Sequence, residues 1–226
     1  MTPNIAPLAA FCLFATGAVA QPVADTELDT LYKVYSGAVP IGDPIFETSY
    51  TTRFLGAEGD LVLTELCYEQ IRRGKPTCDT VTGQAVLNGV IPVANLNWRR
   101  RDGDRAALTA ALRAAPTDEG VTLPDRDFLP LTEGKTVTWV QPSSAGPVQN
   151  TLTQTCCSNT TSPFGADHEV WTLRVAMTNM DTGEPLGIAA LQYDAVVGWV
   201  FAQQSSNDAG GKTTVIGLPT DLRLPE

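Results

Sequence analysis

In the second half of the chain, apolar and polar side chains alternate in short runs divided by turn chemistry. Trp171, Leu173, Val175 and Met177 interleave with Thr172, Arg174, Ala176 and Thr178. A period of two sends one set to a buried face and the other to water, which is the signature of a half-buried strand. Segments of similar character recur at 135–141, 150–156, 169–178, 186–193, 199–204 and 213–216, with links such as PSSAGP, MDTGEP and SNDAGGK. Strands punctuated this regularly predict an antiparallel meander. The first half carries the same pattern at 45–54 and 61–69 (divided by GAEGD), at 77–81, and at 85–93 and 95–99. Asn88-Gly89 lies within it, a pair suited to the positive φ values of a tight hairpin.

Two stretches follow a helical period instead. In 26–36, Leu28, Leu31, Tyr32 and Tyr35 fall at i, i+3, i+4 and i+7. Asp25 or Thr26 is placed to cap the start and Gly37 to end it. A strand over 32–35 is the competing reading. In 104–115, Leu108, Ala111, Leu112 and Ala115 share one face, Asp104 is the cap, and Pro116 stops the run. The expected fold is therefore mainly β, α+β only at the margin. It is an antiparallel meander forming a sandwich or barrel, with two short helices over 26–36 and 104–115. The turn-rich stretch 116–130 is where a division into two lobes would fall. LQYDAVVGWVFAQQ resembles the closing hairpin of β-meanders in uncharacterised bacterial envelope proteins, a resemblance of one hairpin that implies no activity.

The start of the chain is different in kind. Residues 8–20 read LAAFCLFATGAVA, an apolar run ending in Ala18-Val19-Ala20, and the first 20 residues carry no charged side chain. A short apolar run followed by A-x-A is the secretory pattern, and it is too short to span a bilayer. Cleavage is expected before Gln21, leaving 21–226 as one exported β-rich domain. Phe11 before Cys12 does not fit a lipid-attachment site. Arg outnumbers Lys, a bias common in GC-rich bacterial genes, so the expected location is the bacterial periplasm or the medium.

Composition narrows the partners. A formal net charge of -10 and a pI near 4.5 exclude a nucleic-acid binder, because phosphate recognition needs a cationic surface. No second long apolar run follows the first, so the mature chain is not expected to span a membrane. The even set Cys67, Cys78, Cys156 and Cys157 in an exported protein reads as two disulfides. Cys67 and Cys78 bracket RRGKP, a turn between two strand candidates, which favours a local bridge and leaves Cys156–Cys157 as a vicinal one. The alternative staples each of the adjacent pair to Cys67 or Cys78.

Candidate chemistry is sparse. His168 is the one histidine, which excludes sites needing two imidazoles, and no GxSxG or SxxK motif occurs. Asp167 and Glu169 flank it, while Asp125, Asp127 and Glu133 cluster in the long connection. Paired carboxylates at suitable separation can hydrolyse glycosides, but solvated surface charge is the preferred reading. Asp102-Gly103-Asp104 hints at calcium-loop chemistry without matching the twelve-residue pattern. Arg99, Arg100, Arg101 and Arg105 form the concentrated basic patch, suited to a carboxylate or phosphate group. Asp102 and Asp104 sit among them, so a solvated, salt-bridged rim is the preferred reading, and the patch is the ligand-binding candidate for an anionic partner. The Cys156-Cys157 pair could serve as a redox switch or, with His168, a soft-metal site, yet it lacks C-x-x-C spacing and is read as a structural bridge. Trp98, Trp139, Trp171 and Trp199 all fall on strand candidates, as core filler or pocket lining. No cofactor is implied. The expected function is a non-catalytic exported β-domain that binds an apolar small ligand or an envelope partner, with a carboxylate-based hydrolase of an envelope glycan as the alternative.

Overall fold

The structure is a computed structural model that describes residues 21–225 except 38, 69, 73–74, 79, 100–103, 145 and 208–212. The apolar leader and its cleavage point therefore lie outside the described residues. Among the described residues there are thirteen strands: β1 (Glu27–Ser36), β2 (Phe46–Glu58), β3 (Leu61–Tyr68), β4 (Gln70–Arg72), β5 (Lys75–Thr77), β6 (Thr80–Leu87) and β7 (Ile91–Arg99), followed by β8 (Thr136–Gln141), β9 (Val148–Thr155), β10 (Val170–Asn179), β11 (Pro185–Asp194), β12 (Trp199–Asn207) and β13 (Thr213–Arg223). One helix, α1 (Arg105–Ala114), separates β7 from β8. Eleven strands form a single sheet in the order β7-β6-β3-β2-β1-β13-β12-β11-β10-β9-β8, and β4-β5 is a separate ribbon. The fold is mostly β, as the alternation implies, and it is one antiparallel sheet rather than two stacked ones.

That sheet is two meanders joined by their terminal strands. β1 pairs with β13 from Glu27↔Arg223 to Ser36↔Thr213. The sheet curls, because one apolar core takes Val81 and Ile91 from β6 and β7 together with Leu152, Leu173 and Tyr193 from β9, β10 and β11. Contacts tie the two arms directly: Gln141 Nε2 donates to the Pro92 carbonyl at 3.1 Å, and the Val200 amide to the Gly89 carbonyl at 3.3 Å. The 115–135 connection joins the same core through Phe128, whose ring meets Tyr193 edge-on at 5.6 Å. A second core holds Leu28, Phe54, Val62, Val86, Trp199 and Phe201.

The helix expected over 26–36 is a strand. Its Leu28, Leu31, Tyr32, Tyr35 pattern is real, but Leu28, Thr30, Tyr32 and Val34 also alternate with period two. A central strand with neighbours on both sides has apolar positions on both faces, so the two periods overlap. Leu31 sits opposite Leu218 on one face while Leu28 packs in the second core on the other. Tertiary pairing decides between them. The second helix forms as its sequence dictates. Asp104 caps it by accepting the Ala107 amide at 3.0 Å, and Leu108 and Leu112 are buried. They rest on Gly83 of β6, where an added Cβ would lie 2.7 Å from Leu108 Cδ1. The Asn88-Gly89 hairpin is also present, with φ of 51° and 67° at the two residues.

Candidate functional site

Cross-strand partners in an antiparallel sheet point to the same side. The register therefore defines one row of side chains running from Gln154 through Leu173, Leu191, Gln203 and Gly217 to Tyr32 and Thr48. Burial along it is not uniform. Gln154 and Leu173 are fully buried, whereas Leu191, Gln203, Tyr32 and Thr48 are half-buried. The adjacent row runs from buried Val175 through half-buried Ser205, Val215 and Val34 to Phe46, which is 57% exposed. The face that the core covers over β9 and β10 is thus uncovered over β13, β1 and β2.

A second gradient runs along β1. Leu28 is 2% exposed and sits beside Phe54, whose ring meets Trp199 edge-on at 4.9 Å and so closes that end. Thr30 is buried, whereas Tyr32 and Val34 are half-buried and belong to neither core. Tyr32 packs against Tyr50 of β2 with centroids 4.8 Å apart and planes at 83°, and its ring lies over Gly217, where any Cβ would be 2.7 Å from Cε1. Beyond them the β1–β2 loop presents Val39, Ile41 (79% exposed) and Ile45, and the first residue of β2 presents Phe46. The result is an aromatic and aliphatic surface with Thr48, Gln203 and Ser205 among it, stopped at one end and lipped by exposed apolar side chains at the other. The sequence hides this surface because the residues of β1 also carry a helical period. The period-two alternation Thr30-Tyr32-Val34 was the available signal.

The basic patch is divided. Arg100 and Arg101 lie outside the described residues, as do Asp102 and Gly103 of the calcium-loop motif. Arg99 is exposed at the end of β7. Arg105 is engaged within the chain: its Nε lies 3.3 Å from Oε2 of the buried Glu65, and its Nη1 is 3.6 Å from Asp25.

The cysteines pair locally. Cys67 joins Cys78, with Cα atoms 5.9 Å apart, and Cys156 joins Cys157. Glu133 accepts the Cys156 amide, and Glu169 accepts Trp171 Nε1. The two sulfurs and a Glu169 carboxylate oxygen lie within 4.8 Å of one another. His168 is not the group beside this pair. Its Nδ1 is 2.7 Å from the buried carboxylate of Asp194, which also accepts the Ser162 hydroxyl and the Val196 and Val197 amides at 2.9 and 2.8 Å. Ser162, His168 and Asp194 are the residue types of a hydrolytic triad, but the order is wrong. Serine and histidine both bond to the aspartate, so the imidazole is not set to take the hydroxyl proton. Asp167 and Asp127 are exposed, and Asp125 accepts the Thr138 amide, which holds its carboxyl below the usual range. Among the tryptophans, Trp139, Trp171 and Trp199 are buried and Trp98 half-buried.

No protein-family model matches the chain, and no curated protein is similar to it. Solved structures similar to this chain include three whose superpositions are as follows. A β-barrel-like protein of the domain of unknown function DUF1849 from Brucella abortus superposes with a TM-score of 0.46 at 10% identity, over 92% of this chain and 100% of the other. A LolA superfamily protein from Nitrosomonas europaea gives 0.40 at 9% identity, over 92% and 89%. A putative exported protein with a YmcC-like fold from Bacteroides fragilis gives 0.39 at 11%, over 91% and 99%. The described residues define a mostly-β class of domain, built on one curled antiparallel sheet with one short helix among them. Among the described residues, no helix is long and apolar enough to cross a membrane.

Proposed function

We propose that this chain is an exported, non-catalytic binding domain that holds an apolar small ligand on the uncovered face of β13, β1 and β2. One observation carries the reading: a sheet face that is buried at Leu28, Phe54 and Leu173 becomes half-exposed at Tyr32, Tyr50 and Val215, with Thr48, Gln203 and Ser205 set among them. Half-exposed aromatic and aliphatic side chains grouped in this way gain free energy when an apolar ligand covers them. Tyr32 and Tyr50 offer flat, rigid contact area, and Thr48, Gln203 and Ser205 offer hydrogen bonds to a polar end group. The exposed residues Val39, Ile41, Ile45 and Phe46 give an apolar chain a place to enter. An anionic partner would meet the protein at Arg99, Arg100, Arg101 and Arg105. The apolar leader, the even cysteine set and the acidic surface support export to the periplasm or medium, cleavage before Gln21, and a single domain over 21–226.

Native mass spectrometry on protein exported by a bacterial host tests the reading, followed by titration of the delipidated protein with a long-chain fatty acid. Retained mass, or saturable binding that Tyr32→Asp and Val215→Asp each abolish without loss of the β-type circular dichroism, is the expected result. Saturable binding unchanged in both variants would refute the site. No binding of the fatty acid and no retained mass would turn the search to an envelope protein as the partner.

A further inference from the structure

The vicinal pair Cys156-Cys157 lies just beyond the end of β9 on a rigid platform. The buried Gln154 side chain accepts the Thr132 amide at 2.7 Å and donates to the Phe128 carbonyl at 2.9 Å, fixing the 128–135 loop. That loop carries Glu133, which accepts the Cys156 amide. On the other side, the Ser158 amide bonds to the Val170 carbonyl at 2.7 Å, and the Ala195 amide to the Glu169 carbonyl at 2.9 Å. Glu133 is therefore held on the Cys156 backbone, and the backbone of Glu169, one residue before β10, is fixed beside the sulfurs. Cys157 and Glu169 are exposed and Cys156 is half-buried. Such a bridge is open to exchange with an external dithiol.

We propose that the reduced form of this pair, with Glu169, is a binding site for one thiophilic divalent cation of the zinc or cadmium class. In the bridged form the three donor atoms lie within 4.8 Å of one another. Two thiolates on a tetrahedral zinc, each bonded at about 2.3 Å, sit roughly 3.8 Å apart. Opening the bridge lets the sulfurs spread by that amount through side-chain rotation alone. Glu169 uses one oxygen for Trp171 Nε1 and keeps the other for the metal. The carboxylate–indole contact sets its direction, as an outer-shell partner does. Glu133 adds negative charge beside the pair without entering the donor set, and water completes the fourth position. His168 takes no part, because Asp194 holds it.

The chemistry balances in two steps. A dithiol transfers two electrons: the Cys156–Cys157 bond breaks, both sulfurs take up the reductant's protons, and the reductant leaves as a disulfide. The cation then displaces the two thiol protons into water as two metal–sulfur bonds form. In an oxidising compartment the site is closed as the bridge. Reduction opens it, so cation binding reports reducing conditions.

Cadmium alone is the probe, added to the whole exported protein after reduction with dithiothreitol and desalting under inert gas. One cadmium per chain is expected, with a thiolate-to-cadmium charge-transfer band and release of two protons. The Cys67→Ser/Cys78→Ser variant should keep the band, and the Cys156→Ser/Cys157→Ser variant should lose it. Glu169→Gln retains the acceptor for Trp171, so the fold is preserved. It should keep the band but bind at least about 10-fold more weakly, the lower end of what even an outer-shell partner is worth. A band that survives in Cys156→Ser/Cys157→Ser would overturn the proposal. So would Glu169→Gln affinity equal to that of the parent, or equal binding before and after reduction. Fatty-acid binding is read separately and is unaffected by any of these outcomes.

Discussion

The Asp194 carboxylate, 0% exposed, receives Nδ1 of His168 at 2.7 Å. It sits at the start of the β11–β12 turn and gathers the 157–169 loop onto that turn through Ser162, His168 and two backbone amides. Replacing it removes several bonds at once and leaves the buried Ser162 hydroxyl without an acceptor. Asp194→Ala should lower the unfolding free energy by about 3 kcal/mol or more, since each bond to a charged group contributes about 1.5–3 kcal/mol. His168→Gln, which leaves the other bonds intact, should cost about 1 kcal/mol. Urea denaturation followed by tryptophan fluorescence reads both, and equal losses would show that the imidazole rather than the hub fixes the loop.

Gly89 brings the other half of the sheet to the same turn. An added Cβ would lie 1.9 Å from the Gly198 carbonyl oxygen, and the residue's φ is +67°. The obstacle is backbone, so no side-chain rotation relieves it. Gly89→Ala should cost more than about 3 kcal/mol, beyond the usual range for overpacking, by parting the β6–β7 turn from the β11–β12 turn. Asn88→Gly, which relaxes only the neighbouring positive φ, should change stability by less than about 1 kcal/mol. A thermal midpoint for Gly89→Ala within a degree or two of the parent would contradict the close approach.

Tyr193 carries the opposite expectation. Its ring is part of the main core, while its buried hydroxyl has no hydrogen-bond partner among the described residues. Burial, reinforced by the neighbouring Asp194 charge, pushes the phenol well above its ordinary value, so it stays neutral through the physiological range. Tyr193→Phe keeps the ring and removes the unsatisfied group. The substitution should be neutral or stabilising by up to about 1 kcal/mol. A loss above about 2 kcal/mol in the same urea titration would mean the hydroxyl has a partner.

The parts of this fold that can be read from sequence are those fixed by local chemistry. Asp104 and Pro116 bracket α1 because a cap and a stop act within one turn of helix, and Asn88-Gly89 marks its hairpin because only certain residues tolerate those φ values. The alternation at 170–178 marks β10 because one of its faces packs on the core. β1 was not legible in the same way. It lies at the centre of the sheet, between strands from opposite ends of the chain, and its identity as a strand depends on Arg223 and Thr213 more than on its own neighbours. The uncovered face inherits that difficulty, since Tyr32, Tyr50 and Val215 meet only through long-range register. The carboxylate beside the vicinal cysteines was hidden differently: Glu169 and His168 are adjacent, and only Asp194, distant in sequence, selects between them.

The seam between β1 and β13 makes stability depend on pH. Asp29 loses hydration by partial burial, which opposes ionisation, but hydrogen bonds from Arg223 and Thr51 outweigh this and hold its carboxyl below the usual range. Arg223 forms a fork on Asp29, Nη1 to Oδ2 at 2.5 Å and Nη2 to Oδ1 at 2.9 Å, while its Nε reaches Glu27 at 2.9 Å. A carboxyl whose folded pKa lies below its unfolded one stabilises the fold above the unfolded value, and that contribution is lost as pH falls through the folded one. Stability should therefore decline as pH drops below about 4. Asp29→Asn should remove part of that decline and reduce stability at neutral pH. The effect will be modest, because Asp29 is only partly buried, its Arg223 partner is exposed, and salt screens the pair. Urea midpoints for parent and variant at pH 7 and pH 3 give the comparison. A midpoint difference as large at pH 3 as at pH 7 would show that the ion pair contributes nothing to closing the seam.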